Sequence, residues 1–512
     1  MRFPHFVLIS PALAAGFKPG NPPTPFALSV QASLTSAIAS HAPTFAFPAN
    51  SVIAFNAANL NITAAAAIAI EGANATLIFE PGFGVNVSHS SDMLLSNFSI
   101  DYSPLPYVFG ALTNTSQRAF TVALDPASLT FEELIAYYPP HDTFPSPALF
   151  RGGELLNPVC GWGRAAPATP LGGGMYHVDC SAGGAAAPGD VFVAATRVGI
   201  TLSLTDCARV AVRRVSILSA SYMAVTEFQG DGGNSYEGLR VAAPSAARPL
   251  GSNADGFHSS GARAGPRLSG VTIKGLLDDY FNVHTTAQLY IGPAWEGSSF
   301  HLLGDFQLFA GGAANYGTQT TLDRVSVGET LSFFPLNTFS FPPLATQSLA
   351  SIVRVEGTPA AALLASAYAA ASKLAKATPC SACEAGLNQF SAAQLWNVSF
   401  STPLAGVPPL SLSTADAISA GGALVEGCTF SDSISNLGRF KSSGGVIAGT
   451  TWARTESENL EIEPLQNWLE GPFGVHNVTI RDCIFHGTRS SPVHTFGSVD
   501  VREVNNTYSP ST

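Results

Sequence analysis

A short segment of alternating character recurs along this chain. It appears as "VAVRRVSILSA" (210–220), "YEGLRVAAP" (236–244), "LSGVTIKGL" (268–276), "LDRVSVGET" (322–330) and "LWNVSFSTP" (395–403), and returns as "LVEGCTFSD" (424–432), "VTIRDCIFHG" (478–487) and "VREVNNTYS" (501–509). Each copy runs from a polar or small residue to Val, Cys or Leu, then Thr, Ser or Arg, then Ile, Val or Phe. Period-two alternation sends successive side chains to opposite faces of a strand. Recurrence over roughly 20–50 residues marks stacked units rather than one closed core. A parallel β-helix, a solenoid of short strands, meets both conditions: strands stack about 4.8 Å apart and inward residues form aliphatic columns. An irregular β-sandwich is the rival, since its strands also alternate. Cys428 and Cys483 hold equivalent places in two copies, which puts both thiols in the core.

Composition narrows the class. The 512 residues exceed one ordinary globular core, which a solenoid with insertions accommodates. A 46% hydrophobic content, with 48 Gly, 36 Pro and only 12% charged residues, favours sheets and turns over long helices. The net charge of −11 and the lack of any basic run speak against nucleic acid or an anionic membrane as partner.

The chain opens with Arg2 and the apolar "FVLISPALAA" (6–15), so residues 1–20 read as a signal peptide and the protein as secreted. Nothing else is apolar for long enough to span a bilayer, because the Ala-rich stretch from Pro359 to Thr378 carries Lys373 and Lys376. Sequons at Asn61, Asn74, Asn86, Asn97, Asn114, Asn397, Asn477 and Asn505 agree with a secreted glycoprotein. Seven cysteines suit an oxidising compartment and leave at least one unpaired. "CSAC" (Cys380, Cys383) has neither a second pair nor a nearby His, so it reads as a disulfide rather than a zinc site.

The expected organisation is N-terminal coils over 21–104, an inserted β subdomain over 105–198, and coils carrying acids over 199–289. A second insert covers 290–356, an Ala-rich loop or short helix 357–393, and C-terminal coils 394–512. Both inserts read as small barrels or sandwiches, from strands punctuated by Gly and Pro.

In this charge-poor chain "LLDDYFNVH" (276–284) sets Asp278 beside Asp279, and Asp255 precedes Asp278 by 278 − 255 = 23 residues, close to one coil. Stacking then brings the three carboxylates together, provided that Asp278 and Asp279 sit at a bend. Mutual repulsion leaves one of them protonated near neutrality. Inverting glycoside hydrolysis needs such a pair: an acid for the leaving oxygen, and a base for water on the opposite face of the sugar. Turn-capping aspartates and a calcium site are the rivals. No EF-hand-like loop accompanies the acids, so neither a metal nor a cofactor is expected.

"GSNADGFHSSGARAGPRLSGVTIKGLLDDYFNVHTT" resembles the catalytic coils of glycoside hydrolase family 110, the right-handed β-helix α-1,3-galactosidases. The likeness extends to "NFSIDYSPLPYVFG" (97–110) and "IEPLQNWLEGPFGVHNVTIRDCIF" (462–485). It implies a right-handed all-β solenoid and an inverting hydrolase acting on a terminal α-linked galactose or related sugar. Asp278 would be the general acid, with Asp255 and Asp279 holding the attacking water. Polygalacturonases share the N-x-D…D-D layout, but their His-Gly and Arg-x-Lys elements are not evident: Thr285 follows His284, and "GRFKSS" offers an isolated Arg439 and Lys441.

Candidate substrate-binding residues are Asn253, His258, Asn282 and His284 around the acids, Glu227 one coil earlier, and Trp468 with Glu470 in "NWLEGPFG". Each has a bland alternative as a turn, packing or solvated residue. The expected partner is a glycan substrate, and the oligomeric state, homodimer included, stays open. A β-helix polysaccharide lyase, a polygalacturonase-like hydrolase and a non-catalytic carbohydrate-binding protein are the alternatives.

Overall fold

Ile53, Leu77, Ile100, Ile217, Val241 and Ile273 stand in register one above another on successive parallel strands, and Phe430, Trp452, Phe485 and Tyr508 continue the column. A second inward column runs through Leu60, Val85, Leu202, Val225, Phe257 and Phe281. Apart from the exposed Tyr508, both belong to one continuous buried core, which Cys207, Cys428 and Cys483 share as free thiols. The structure, a computed structural model, describes residues 20–116, 119–137, 147–156, 168–179, 186–195, 197–294, 298–305, 321–336, 342–376, 394–433, 438–455, 460–462, 470–471, 474–488, 492–495 and 497–510. The proposed signal peptide up to residue 19, Cys380, Cys383 and Trp468 lie outside these residues. The fold is mostly β, with parallel sheets, one antiparallel sheet and one small closed barrel. No described helix is long and apolar enough to cross a membrane.

The stack begins with a helix, Pro25–Ala39, where coils were expected from residue 21. The Thr24 side chain accepts from the Ala27 N–H and Pro25 opens the first turn, a start signal written in "NPPTPF". Ala27, Val30 and Leu34 are buried against the first strands.

Two insertions interrupt the layers. The first is a seven-stranded antiparallel sheet from Tyr107–Thr115 to Val191–Ala195. One face buries Phe131 and Leu134 of the helix Phe131–Tyr137. The other sets Tyr107, Phe109, Phe150 and Val193 against Leu250 and Leu277, so the sheet leans on the residue before Asp278.

The second insertion is a closed six-stranded barrel of Gln288–Pro293, Phe300–Asp305, Gln394–Phe400, Ala345–Val355, Thr330–Phe334 and Leu412–Ala415. It therefore runs to residue 415 rather than 356, and the helix Thr358–Lys376 lies within its span. "LWNVSFSTP" is a barrel strand and "LDRVSVGET" opens as a 3₁₀ turn, Thr321–Arg324, so neither belongs to the parallel stack. Alternation says that a segment is half-buried; it does not say which strand it pairs with. Arg263 ties the barrel to the stack through Glu329 at 2.6 Å, and Arg324 through Asp206 at 3.3 Å and Asp231 at 3.4 Å.

Candidate active site

Asp255 precedes the strand Phe257–Ser260, and Asp278 and Asp279 fill the bend between Thr272–Leu276 and Phe281–Thr286. Phe257 pairs with Phe281, so Asp255 and Asp279, each two residues earlier, stack in register. Backbone bonds lock the stack: Gly256 N–H donates to the Asp279 carbonyl and Ala224 N–H to the Asp255 carbonyl, both at 2.9 Å. Gly256 is needed for space, since a Cβ there would meet Ile273 Cγ2 at 2.4 Å and the Tyr280 carbonyl oxygen at 2.8 Å. The bend lets the neighbouring acids escape strand alternation, and one oxygen from each of Asp255, Asp278 and Asp279 lies within 4.8 Å of the others.

Two arginines enter from distant segments. Arg197, where the chain leaves the antiparallel sheet, donates to Asp278 Oδ2 at 2.5 Å and to the Leu277 carbonyl at 3.0 Å. Arg439, on Gly438–Phe440, donates to Asp279 Oδ2 at 2.6 Å and also pairs with Glu461. Asp279 Oδ1 is buried without a hydrogen-bond partner among the described residues. A divalent cation between these acids would face two guanidiniums already placed on their oxygens.

Burial pushes Asp278 above the usual carboxylate range, against the pull of Arg197 and with help from Asp255. Burial pushes Asp279 well above it, against Arg439 and with Asp278 and Asp255 adding to the rise. Ion pairing alone would lower both. Three carboxylates share two guanidiniums, however, so burial and mutual repulsion prevail at Asp278 and Asp279. Asp278 is the most exposed of the three, its side chain 17% accessible against 6% for Asp255 and 7% for Asp279.

His258 Nδ1 contacts Asp255 Oδ2 at 2.7 Å, and its Nε2 contacts His284 Nε2 at 2.9 Å. Asn282 donates to both Glu470 oxygens at 3.2 Å, and Lys441 donates to Glu470 at 2.6 Å and to Asn282 at 3.1 Å. Glu470 arrives on the two-residue strand Glu470–Gly471, which pairs antiparallel with Thr285 and Thr286. Although burial opposes it, Lys441 leads in holding Glu470 below its ordinary range. His258, His284, Asn282, Lys441 and Glu470 are all buried and joined through these bonds and the 3.8 Å contact of His284 with Glu470, a support rather than an open sugar platform.

Two expected binding residues sit elsewhere. Glu227 does not join the acids: it stands in the inward column Ile62, Val87, Leu204, Glu227, Ser259, Val283, where it accepts from Tyr236 Oη at 3.0 Å. Only the strand's phase decides this, and that phase puts Thr226 outward and Glu227 inward. Burial lifts its carboxyl to about 7. Asn253 is fully buried, and its amide donates to the Pro106 carbonyl at 2.9 Å and the Ser221 carbonyl at 3.2 Å. It braces the root of the antiparallel sheet instead of facing a substrate.

Sequence reasoning missed Arg197 and set aside Arg439 and Lys441, which do reach the site. Arg439 is the register partner of Asn282, as Asn282 is of His258 and His258 of Thr226, so these outward positions form one ridge. The only local signal was the Arg-x-Lys of "GRFKSS"; Arg197 had none. No protein-family model matches the chain, and no curated protein matches it.

Proposed function

We propose that this chain is a right-handed parallel β-helix and a secreted, inverting glycoside hydrolase that releases a terminal α-linked galactose, or a related sugar, from a glycan. The observation that carries the reading is the trio Asp255, Asp278 and Asp279, with oxygens within 4.8 Å of one another. Two hydrogen bonds of ~2.8 Å meeting at one water near the tetrahedral angle place their outer oxygens ~4.5 Å apart. Asp255 and Asp279, stacked in register, hold and deprotonate that water. Asp278, the most exposed of the three, meets the leaving oxygen as the acid.

The spacing also sharpens the stereochemical question. Acid and base in inverting enzymes stand roughly 6.5–9.5 Å apart, and in retaining enzymes roughly 5–5.5 Å. With the trio this tight, inversion requires Asp278 and the water-holding pair to address opposite faces of the ring. The test is a panel of α-galactosides, uronans and sulfated galactans, with NMR of the first-formed anomer. Release of galactose with inverted configuration is expected. A retained anomer removes the inverting mechanism, and saturable binding without cleavage makes the chain a carbohydrate-binding protein. Ultraviolet-absorbing unsaturated ends that vanish with a chelator make it a lyase.

A further inference from the structure

Asp255 terminates a line of three hydrogen bonds whose hydrogens can be counted. His284 Nδ1 lies 3.1 Å from the Thr285 carbonyl, His284 Nε2 lies 2.9 Å from His258 Nε2, and His258 Nδ1 lies 2.7 Å from Asp255 Oδ2. A carbonyl only accepts, so His284 Nδ1 carries a hydrogen. The contact between the two imidazoles needs one more, and the contact with the carboxylate needs a third. Two neutral imidazoles and an ionised carboxylate supply two. The geometry therefore calls for one extra proton, which can sit on His284, His258 or Asp255 with every bond intact.

We infer that this proton resides on His258, so that His258 is an imidazolium braced by His284, and a positioning residue that keeps Asp255 ionised as the base. Its catalytic consequence rests on the hydrolase reading above; the proton count does not. Burial drives His284 down to about 3, against the pull of Glu470, so His284 stays neutral with Nε2 free to accept. Among the described residues, the charged groups facing the line are Asp255, Glu470 (3.8 Å from His284 Nε2) and Lys441, with Asp278, Asp279, Arg197 and Arg439 on the acid side. The preceding strand, Met223–Phe228, brings Thr226 and the Phe228 ring against His258, and Phe281–Thr286 brings Asn282. Ordering one buried proton in this way takes the acceptor at His284 and the carboxylate at Asp255 together.

An imidazolium beside a carboxylate favours the ionised acid and lowers its pKa. Without that charge, a base that must be ionised fails sooner as pH falls. ¹⁵N-histidine NMR of the full unliganded chain at pH 7 reads the assignment directly, with His258→Asn and His284→Gln identifying the signals. The expected result is a His258 with both nitrogens protonated and a neutral Nδ1–H His284. In Asp255→Asn, His258 reverts to a neutral ring. A neutral His258 in the wild type overturns the inference.

The pH profile of kcat/KM gives the second arm. Asn at 258 can still donate to Asp255 but carries no charge, so the acid limb moves up by about one unit or more. His284→Gln retains an acceptor and leaves that limb in place, whereas His284→Leu moves it as His258→Asn does. Lost rate with an unmoved limb in His258→Asn shows a merely structural role and overturns the inference. A chain that cleaves no glycan sinks the hydrolase reading alone, because the NMR arm needs no substrate.

Discussion

Asp278 is bonded to Arg197, yet burial and the neighbouring Asp255 raise its pKa, a conflict that suits a group holding a proton only until a leaving group needs it. Asp278→Asn keeps the shape and removes the proton. Turnover of a glycan with a poor leaving group should fall by about 10²–10⁴-fold, while an activated aryl glycoside, which needs no protonation, loses far less. Equal losses on both substrates would remove the acid assignment; steady-state kinetics on the pair decides. The three acids were legible because their spacing matches one layer, 279 − 255 = 24 residues, and the chain is poor in charge. The cations were not. Arg439 lies 439 − 279 = 160 residues beyond its partner and Arg197 lies 278 − 197 = 81 before its own, so no local window contains either pair.

At the scale of the strand, alternation identified half-buried segments and left their partners open. The same polar–apolar phase serves a parallel layer at Leu424–Glu426 and an antiparallel barrel strand at Gln394–Phe400. It also left the phase of Met223–Phe228 undetermined, so the inward turn of Glu227 was not legible. Packing between layers imposes limits that no single strand reveals. A Cβ on Gly438 would meet the Phe281 ring and Trp452 Cη2 at 2.6 Å, in a cluster that also holds Phe430 4.6 Å from Trp452. Gly438→Ala should destabilise by about 1–3 kcal/mol, read as a lower denaturation midpoint. Adding Trp452→Phe, with its smaller ring, should restore part of the loss. Strictly additive losses would show that the crowding is not at that ring.

The whole molecule carries a net charge of −11 and encloses a carboxyl in its core, which ties its stability to pH. Burial raises Glu227 from 4.5 to about 7 in the fold. A raised folded pKa contributes stability that is present below about 4.5 and lost as pH climbs through about 7. The loss above pH 7 is about 3 kcal/mol at most, the worth of the shift at ~1.4 kcal/mol per unit. Glu227→Gln should therefore melt higher than wild type at pH 8 and close to it at pH 5, by thermal unfolding at both. An unchanged difference across that range would show that Glu227 does not titrate in the fold. The layered plan was legible from repetition, but the extent of the barrel was not, because its closing strands look like layers. That barrel also sets a clock. Asp279 precedes Arg439 by 439 − 279 = 160 residues, so at the ribosome's ~5–20 residues per second the acids emerge roughly eight to thirty seconds before Arg439. During that interval a nascent chain carries the three aspartates without one of their two arginines, and only a chain that has finished its barrel can close the site.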